Sequence, residues 1–221
     1  MICSHDTMTY IRPGSYLMRK FSRLWQTQEI DIDAQYAIGV RMFDIRVFWT
    51  GNAWQLCHGA VDFGLSFKTL DDLVTYFLYK DERIDTLMRL YLEKGCRSDE
   101  QRFIDEVRKF DLCGRHIRLW RIGIKGDRDW LNGIANNNQK LFELGFKFAL
   151  DEPWSGNCTE LHGSIDFDVK HLFRSIGRLA RKSLRKDAIR LNAELMKSKN
   201  WQEMCEDKEH LYMIDFVNLH D

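Results

Sequence analysis

The sequence predicts an α/β fold on a mostly parallel sheet. Runs rich in Val, Ile, Phe and Tyr alternate with stretches carrying apolar residues at helical spacing. At 221 residues the chain can bury a sizeable core. Only two prolines interrupt it, and no linker, repeat or low-complexity tract divides it, so one domain over 1–221 is expected. Fewer than eight strands are secure, so the pattern alone leaves a closed barrel and an open sheet as alternatives.

The elements follow in order. Met1–Ser4 opens as a short strand. Val40–Trp49 alternates and is rich in β-formers; Thr50–Asn52 then reads as a turn into a partner strand, Ala53–Gly59. Ser66–Lys80 has Phe67, Leu70, Leu73, Val74 and Phe77 at helical intervals. Ile84–Glu93 reads as a strand. Ser98–Phe110 begins with a Ser cap and early acids, the signature of a helix start. Arg115–Ile124, Phe146–Asp151 and Leu211–Asn218 complete the strands.

Composition excludes several classes. Lysine plus arginine equals aspartate plus glutamate, 33 each, so no global field favours nucleic acid, and no nucleic-acid partner is expected. No run has the apolar length of a spanning helix. The first residues show no apolar signal region, so a cytoplasmic protein without a signal peptide is expected. The six cysteines lack CxxC spacing, which favours reduced thiols over a zinc site or a disulfide framework.

Charges inside the strands mark a site. A parallel strand buried on both faces should read as continuously apolar. Here Asp44 and Arg46 lie two apart in "FDIR", and period two puts them on one face. Arg89, Tyr91 and Glu93 repeat the pattern, and Asp215 interrupts an apolar run. Such charges are costly unless paired or facing a wet cavity. One such strand would suggest a structural ion pair, but three together point to a polar site at the mouth or inside of a barrel. His5 and His58 fall at strand ends, each near an acid or an arginine. One can accept a proton while the other donates one, with an arginine stabilising a phosphorane between them. The other five histidines have less telling surroundings.

These stretches, "SHDTMTY", "WQTQEIDIDAQYAIGVRMFDIRV", "LCHGAVDFGLSFKTLDDLV" and "LYMIDFVN", carry a resemblance. In this order they resemble the catalytic X-type domain of bacterial phosphatidylinositol-specific phospholipase C, most closely over residues 1 to 95 and 211–218. The resemblance implies a compact TIM-type (β/α) barrel, one or more of whose strands is missing or degenerate. It also implies a phosphodiesterase or lyase acting on an inositol phospholipid. His5 would take the proton of the inositol 2-hydroxyl, supported by Asp215, and the oxygen would close a cyclic 1,2-phosphate. His58, partnered by Asp6, would protonate the leaving alcohol, and Arg46 would hold the phosphate charge. Calcium-dependent relatives carry Glu-x-Asp where this chain has Asp44-x-Arg46, which implies a metal-independent reaction without a cofactor. Asp44, Arg89, Tyr91, Glu93, Arg121 and Asp151 fall where relatives contact substrate. Relatives carry a helix before the first strand and another after the last, and neither is expected here.

Two other functions compete. A glycerophosphodiester phosphodiesterase should place a metal-binding Glu-x-Asp in the second strand. A silent phosphoinositide-binding module would usually have lost a His or the Arg, and all are present. Finally, Lys170–Lys197 mixes many basic residues with leucines at helical intervals. Outer helices with a solvated basic face are the expected form. Over 170–190 that face could also contact an anionic membrane.

Overall fold

The computed structural model describes residues 1–78, 87–112, 119–124, 154–155, 183–207 and 211–219. Strand β1 (Ile2–Ser4) pairs in parallel with β2 (Val40–Trp49) and, on its other side, with β8 (Leu211–Ile214). The sheet continues in parallel from β2 to β5 (Leu87–Lys94) and β6 (Leu119–Ile124). At the far side β8 pairs in parallel with β7 (Trp154–Ser155). β3 (Trp54–His58) and β4 (Val61–Phe67) form a hairpin, antiparallel to the outer end of β2. The fold is mixed α/β. Among the described residues the sheet is open, since β6 pairs only with β5 and β7 only with β8. A closed barrel is therefore not established.

Every strand of the parallel set points the same way, so their C-terminal ends share one edge. The two faces of β2 and β5 divide cleanly. Phe43, Ile45 and Val47 are buried on one face of β2, as are Met88, Leu90 and Leu92 on β5. They belong to a core shared with Leu70, Leu73, Val74 and Phe77 of α3 (Leu70–Leu78) and Phe103, Ile104 and Val107 of α4 (Arg97–Leu112). The other face carries Asp44 and Arg46 in register with Arg89 and Tyr91. Burying the apolar set is worth roughly 1.5–3 kcal/mol per large side chain.

Glycines set the approach to two strands. Gly39, at φ +104, lies between α2 (Ile32–Ala37) and β2; a Cβ there would stand 2.6 Å from Cys205 Sγ on α6 (Trp201–Glu206). Gly59, at φ +57, opens the two-residue turn after His58, whose next paired residue is Val61.

Several element boundaries differ from the sequence reading. Ser66 and Phe67 belong to β4, and the helix starts at Leu70. Val61, Phe63, Leu65 and Phe67 alternate with polar residues and Gly64, a strand period that the helical spacing of Phe67 masked. α4 starts at Arg97, before Ser98, and Asp99 Oδ2 accepts from the Cys96 N–H. β8 ends at Ile214, so Asp215 lies beyond the strand, where Phe216 turns the chain at φ 49. Ile84, Arg115 and Phe146–Asp151 lie outside the described residues, as does the basic stretch up to Arg181 and Lys182. Its remainder forms α5 (Leu184–Met196), capped by Ser183. The four described cysteines, Cys3, Cys57, Cys96 and Cys205, are in no disulfide. Among the described residues no helix is long and apolar enough to cross a membrane.

Candidate active site

The C-terminal edge of the parallel strands brings together residues far apart in the chain. His5 follows β1 and Asp215 follows β8, and His5 Nδ1 stands 2.7 Å from Asp215 Oδ1. A carboxylate only accepts, so Nδ1 carries the proton and Nε2 presents its lone pair. Arg46 Nη2, which can only donate, lies 2.9 Å from that Nε2. Both contacts describe a neutral, basic imidazole.

His58 is held differently. Its Nδ1 lies 2.6 Å from the Trp25 carbonyl oxygen, so Nδ1 carries a proton. Its Nε2 faces Asp6 Oδ2 at 3.1 Å. That oxygen is placed to accept from Nε2 whenever Nε2 carries the proton. Asp6 also stands against Arg46 Nε and lies 3.4 Å from His5 Nε2. Its two buried oxygens make no aligned hydrogen bond, so charge, rather than bond geometry, holds it.

Arg46 is the hub. Its guanidinium touches Asp6, Asp44 (Nη2–Oδ2 3.1 Å) and Glu93 (Nη1–Oε2 3.4 Å). Burial would discharge it, but the three carboxylates outweigh burial and hold it well above its ordinary range. Asp44 is used on both oxygens, by Arg89 Nη1 at 2.9 Å and by Arg46 together with the Asp6 N–H. Burial opposes its charge, yet Arg89 and Arg46 hold its carboxyl well below the usual carboxylate range. Tyr91 lies under both arginines, its ring centre 5.6 Å from the Arg46 guanidinium carbon and 4.9 Å from that of Arg89. Burial pushes its phenol up to about 12. Removing one partner from such a cluster would strand a buried charge at a cost of about 3–5 kcal/mol.

The geometry thus brings His5, Asp6, Asp44, Arg46, His58, Arg89, Tyr91, Glu93 and Asp215 into one cluster. Arg121 lies on β6 in register with Arg89, and no more of it is described. Asp151 lies outside the described residues. Sequence reading passed over the polar floor of the site: Thr7, Thr9, Thr27, Gln28 and Asn192 are all buried. The Thr7 hydroxyl accepts from the Asp44 N–H, and Thr27 Oγ1 donates to the His5 carbonyl. Asn192 of α5 donates to the carbonyls of Asp215 and Phe216. Thr7, Thr9, Thr27 and Gln28 lie within the quoted stretches "SHDTMTY" and "WQTQEIDIDAQYAIGVRMFDIRV", where nothing about an uncharged polar residue marks it as buried.

Among the described residues, one group could hold a cation: ligand atoms of His5, Asp6 and Asp44 lie within 4.8 Å of one another. The Arg46 guanidinium already stands against both carboxylates and the imidazole, so the positive charge a metal would bring there is supplied by the protein.

No protein-family model matches the chain, and no curated protein does. Solved structures do. The chain is similar to the phosphatidylinositol-specific phospholipase C of Listeria monocytogenes at 16% identity and a TM-score of 0.57, over 98% of this chain and 87% of that one. A mutant of the Staphylococcus aureus enzyme gives 15% identity and 0.55, over 98% and 85%. A second S. aureus structure, concerned with membrane binding of that enzyme, gives 17% identity and 0.53 over the same shares. Over nearly its whole length, then, this chain has the fold of the bacterial phosphatidylinositol-specific phospholipases C.

Proposed function

We propose that the protein cleaves the phosphodiester of an inositol phospholipid by general acid–base catalysis through a cyclic 1,2-phosphate. One observation carries this reading: two histidines, each with its Nδ1 held by an oxygen acceptor, stand on either side of Asp6 beside one buried arginine. His5 Nε2 takes the proton of the inositol 2-hydroxyl, using the lone pair that Arg46 Nη2 now faces. The freed oxygen attacks phosphorus and displaces the glycerol oxygen. His58 Nε2 delivers a proton to that leaving oxygen, and Asp6, 3.1 Å from that nitrogen, orients the ring. Arg46 stabilises the charge on the phosphorane. Asp215 orients His5, Asp44 orients Arg46, and Arg89, Tyr91 and Glu93 wall the headgroup pocket, with Arg121 and Asp151 as further candidates.

The surface beside the site suits a lipid. Residues 7–28 leave the site after Asp6 and return at Trp25, whose carbonyl accepts from His58. This excursion carries Arg12, Arg19, Lys20 and Arg23 and no acid. Tyr16, Leu17 and Phe21 stand exposed on and just after α1 (Tyr16–Lys20). Large exposed apolar side chains ringed by cations fit an anionic interface, where each basic residue is worth about 1 kcal/mol. In this reading the segment does the membrane work first assigned to 170–190, with α5 as a neighbour.

The test is phosphorus NMR of phosphatidylinositol incubated with the protein and excess chelator. A cyclic inositol phosphate resonance that appears before the hydrolysed monoester is the expected result. No cyclic product, or turnover that needs calcium, would sink the mechanism.

A further inference from the structure

The β1–β8 ladder ends where the chemistry begins. Its last backbone bond runs from the His5 N–H to the Ile214 carbonyl at 3.1 Å. Both chains then turn through left-handed backbone, at Asp6 (φ 44) and Phe216 (φ 49). Neither is glycine, so each turn persists only where its surroundings hold it. Past that point, the His5 and Asp215 side chains meet directly.

Two neighbours bridge the two tips: Thr27, whose Oγ1 donates to the His5 carbonyl and whose own carbonyl accepts from the Phe216 N–H, and the Gln28 side chain. Gln28 is fully buried, and its Nε2 lies 3.0 Å from the His5 carbonyl oxygen and 2.9 Å from that of Ile214. Its Oε1 accepts from the Val217 N–H at 3.1 Å. Carbonyls only accept and a backbone N–H only donates, so these partners settle which end of the amide is which. One amide therefore holds the strand tip that carries His5, the last residue of β8, and the chain just past Asp215. The Gln28 N–H and the Thr27 N–H both donate to Thr9 Oγ1, which fixes the base of the arm.

We propose that Gln28 is a positioning residue for the His5–Asp215 pair. Its amide extends the tie between the two tips beyond the His5–Ile214 bond and holds the His5 Nδ1 to Asp215 Oδ1 distance. It touches neither imidazole nor carboxylate and acts through their backbone. A displacement of about 1 Å at such a pair can cost about 10²-fold in rate.

The inference uses the acid–base reading only in its kinetic arm. Gln28→Met keeps the volume and removes all three bonds. The first readout needs no substrate: the downfield proton resonance of His5 Nδ1–H, present in the parent, moves upfield or is lost to exchange while the folded dispersion of the spectrum remains. In the second, kcat on phosphatidylinositol falls about 10- to 100-fold with KM within about twofold. Combined with Asp215→Asn, the Gln28→Met effect on kcat largely disappears, because the pair it positions is already broken. Gln28→Asn, with a shorter arm, gives a smaller change in the same directions. An unchanged resonance with kcat within about twofold, or full additivity with Asp215→Asn, would overturn the proposal. So would failure of both Gln28 variants to fold, which would make the residue a folding determinant. A protein inactive on every phosphodiester that still shows the resonance shift retains this inference and loses the function.

Discussion

The two histidine sites are built differently. On the His5 side both partners sit on the tips of parallel strands, with side chains 5% and 0% exposed, over a floor of Thr9, Thr27 and Gln28. On the His58 side the ring leaves an antiparallel hairpin just before its turn, is 19% exposed, and leans on a loop carbonyl. The difference matches the proposed division of labour. A base gains from a dry, fixed carboxylate partner, because low polarity strengthens that contact. An acid must reach an oxygen whose departing chain lies toward the surface, so it stands nearer to solvent.

The largest expected effect tests that division directly. His5→Ala should lower kcat about 10⁴-fold on phosphatidylinositol and by a similar factor on a nitrophenyl inositol phosphate, since both need the 2-hydroxyl deprotonated. His58→Ala should match it on the lipid, yet lose only about 10-fold on the aryl ester, whose leaving group departs without a proton. Steady-state rates on the two substrates measure the split. Equal losses for both variants on both substrates would erase the distinction between base and acid.

A smaller effect concerns only the exposed side. Replacing Tyr16, Leu17 and Phe21 with Ser should cut turnover on anionic phosphatidylinositol vesicles about 10- to 100-fold, because apolar area no longer enters the interface. Turnover on a water-soluble ester should stay within about twofold, since none of the three touches the cluster. Vesicle co-sedimentation alongside the rates checks it. Equal losses on both substrates would mean that the segment supports the His58 side rather than the lipid.

The two sides also differed in how legible they were. Asp44, Arg46, Arg89 and Glu93 stood out because charge inside a strand violates the apolar rule for buried parallel sheets, and period two placed them on one face. His5 and Asp215 are 210 positions apart, and only the pairing of β1 with β8 makes them neighbours. No local pattern reports that pairing, so the motif resemblance supplied it. Gln28 was harder still, because a glutamine beside a threonine reads as surface, and its partners are backbone carbonyls, which every residue has. β4 was lost to a competing period, with Phe67 serving both a strand and a helix pattern. Openness of the described sheet was likewise not a local property, since closure depends on partners far along the chain.

The smallest expected effect compares the two sides through the pH dependence of stability. Beneath Arg46, Asp44 is held well below the usual carboxylate range: burial opposes its charge, and Arg89 and Arg46 prevail. Its folded value lies below its unfolded one. The stability it contributes is therefore complete above about pH 4 and is lost as pH falls further. Beside His58, Cys57 is pushed up to about 12, chiefly by burial and then by Glu93. Between about pH 9 and 12 the folded protein keeps a proton that the unfolded chain releases, so stability falls as pH rises. Tyr91 and Tyr10, each pushed up to about 12, join only above about pH 10. Between pH 9 and 10, then, Cys57→Ala should reduce the alkaline slope of unfolding free energy by up to about 1.4 kcal/mol per pH unit, whatever constant cost its smaller side chain adds. The acid slope below pH 4 should stay as in the parent, because Asp44 lies on the other side of Arg46. Urea unfolding across both windows separates the two. An alkaline slope unchanged in Cys57→Ala would show that the wall beside His58 is open enough for its thiol to ionise in place, making the acid side wetter than its burial indicates.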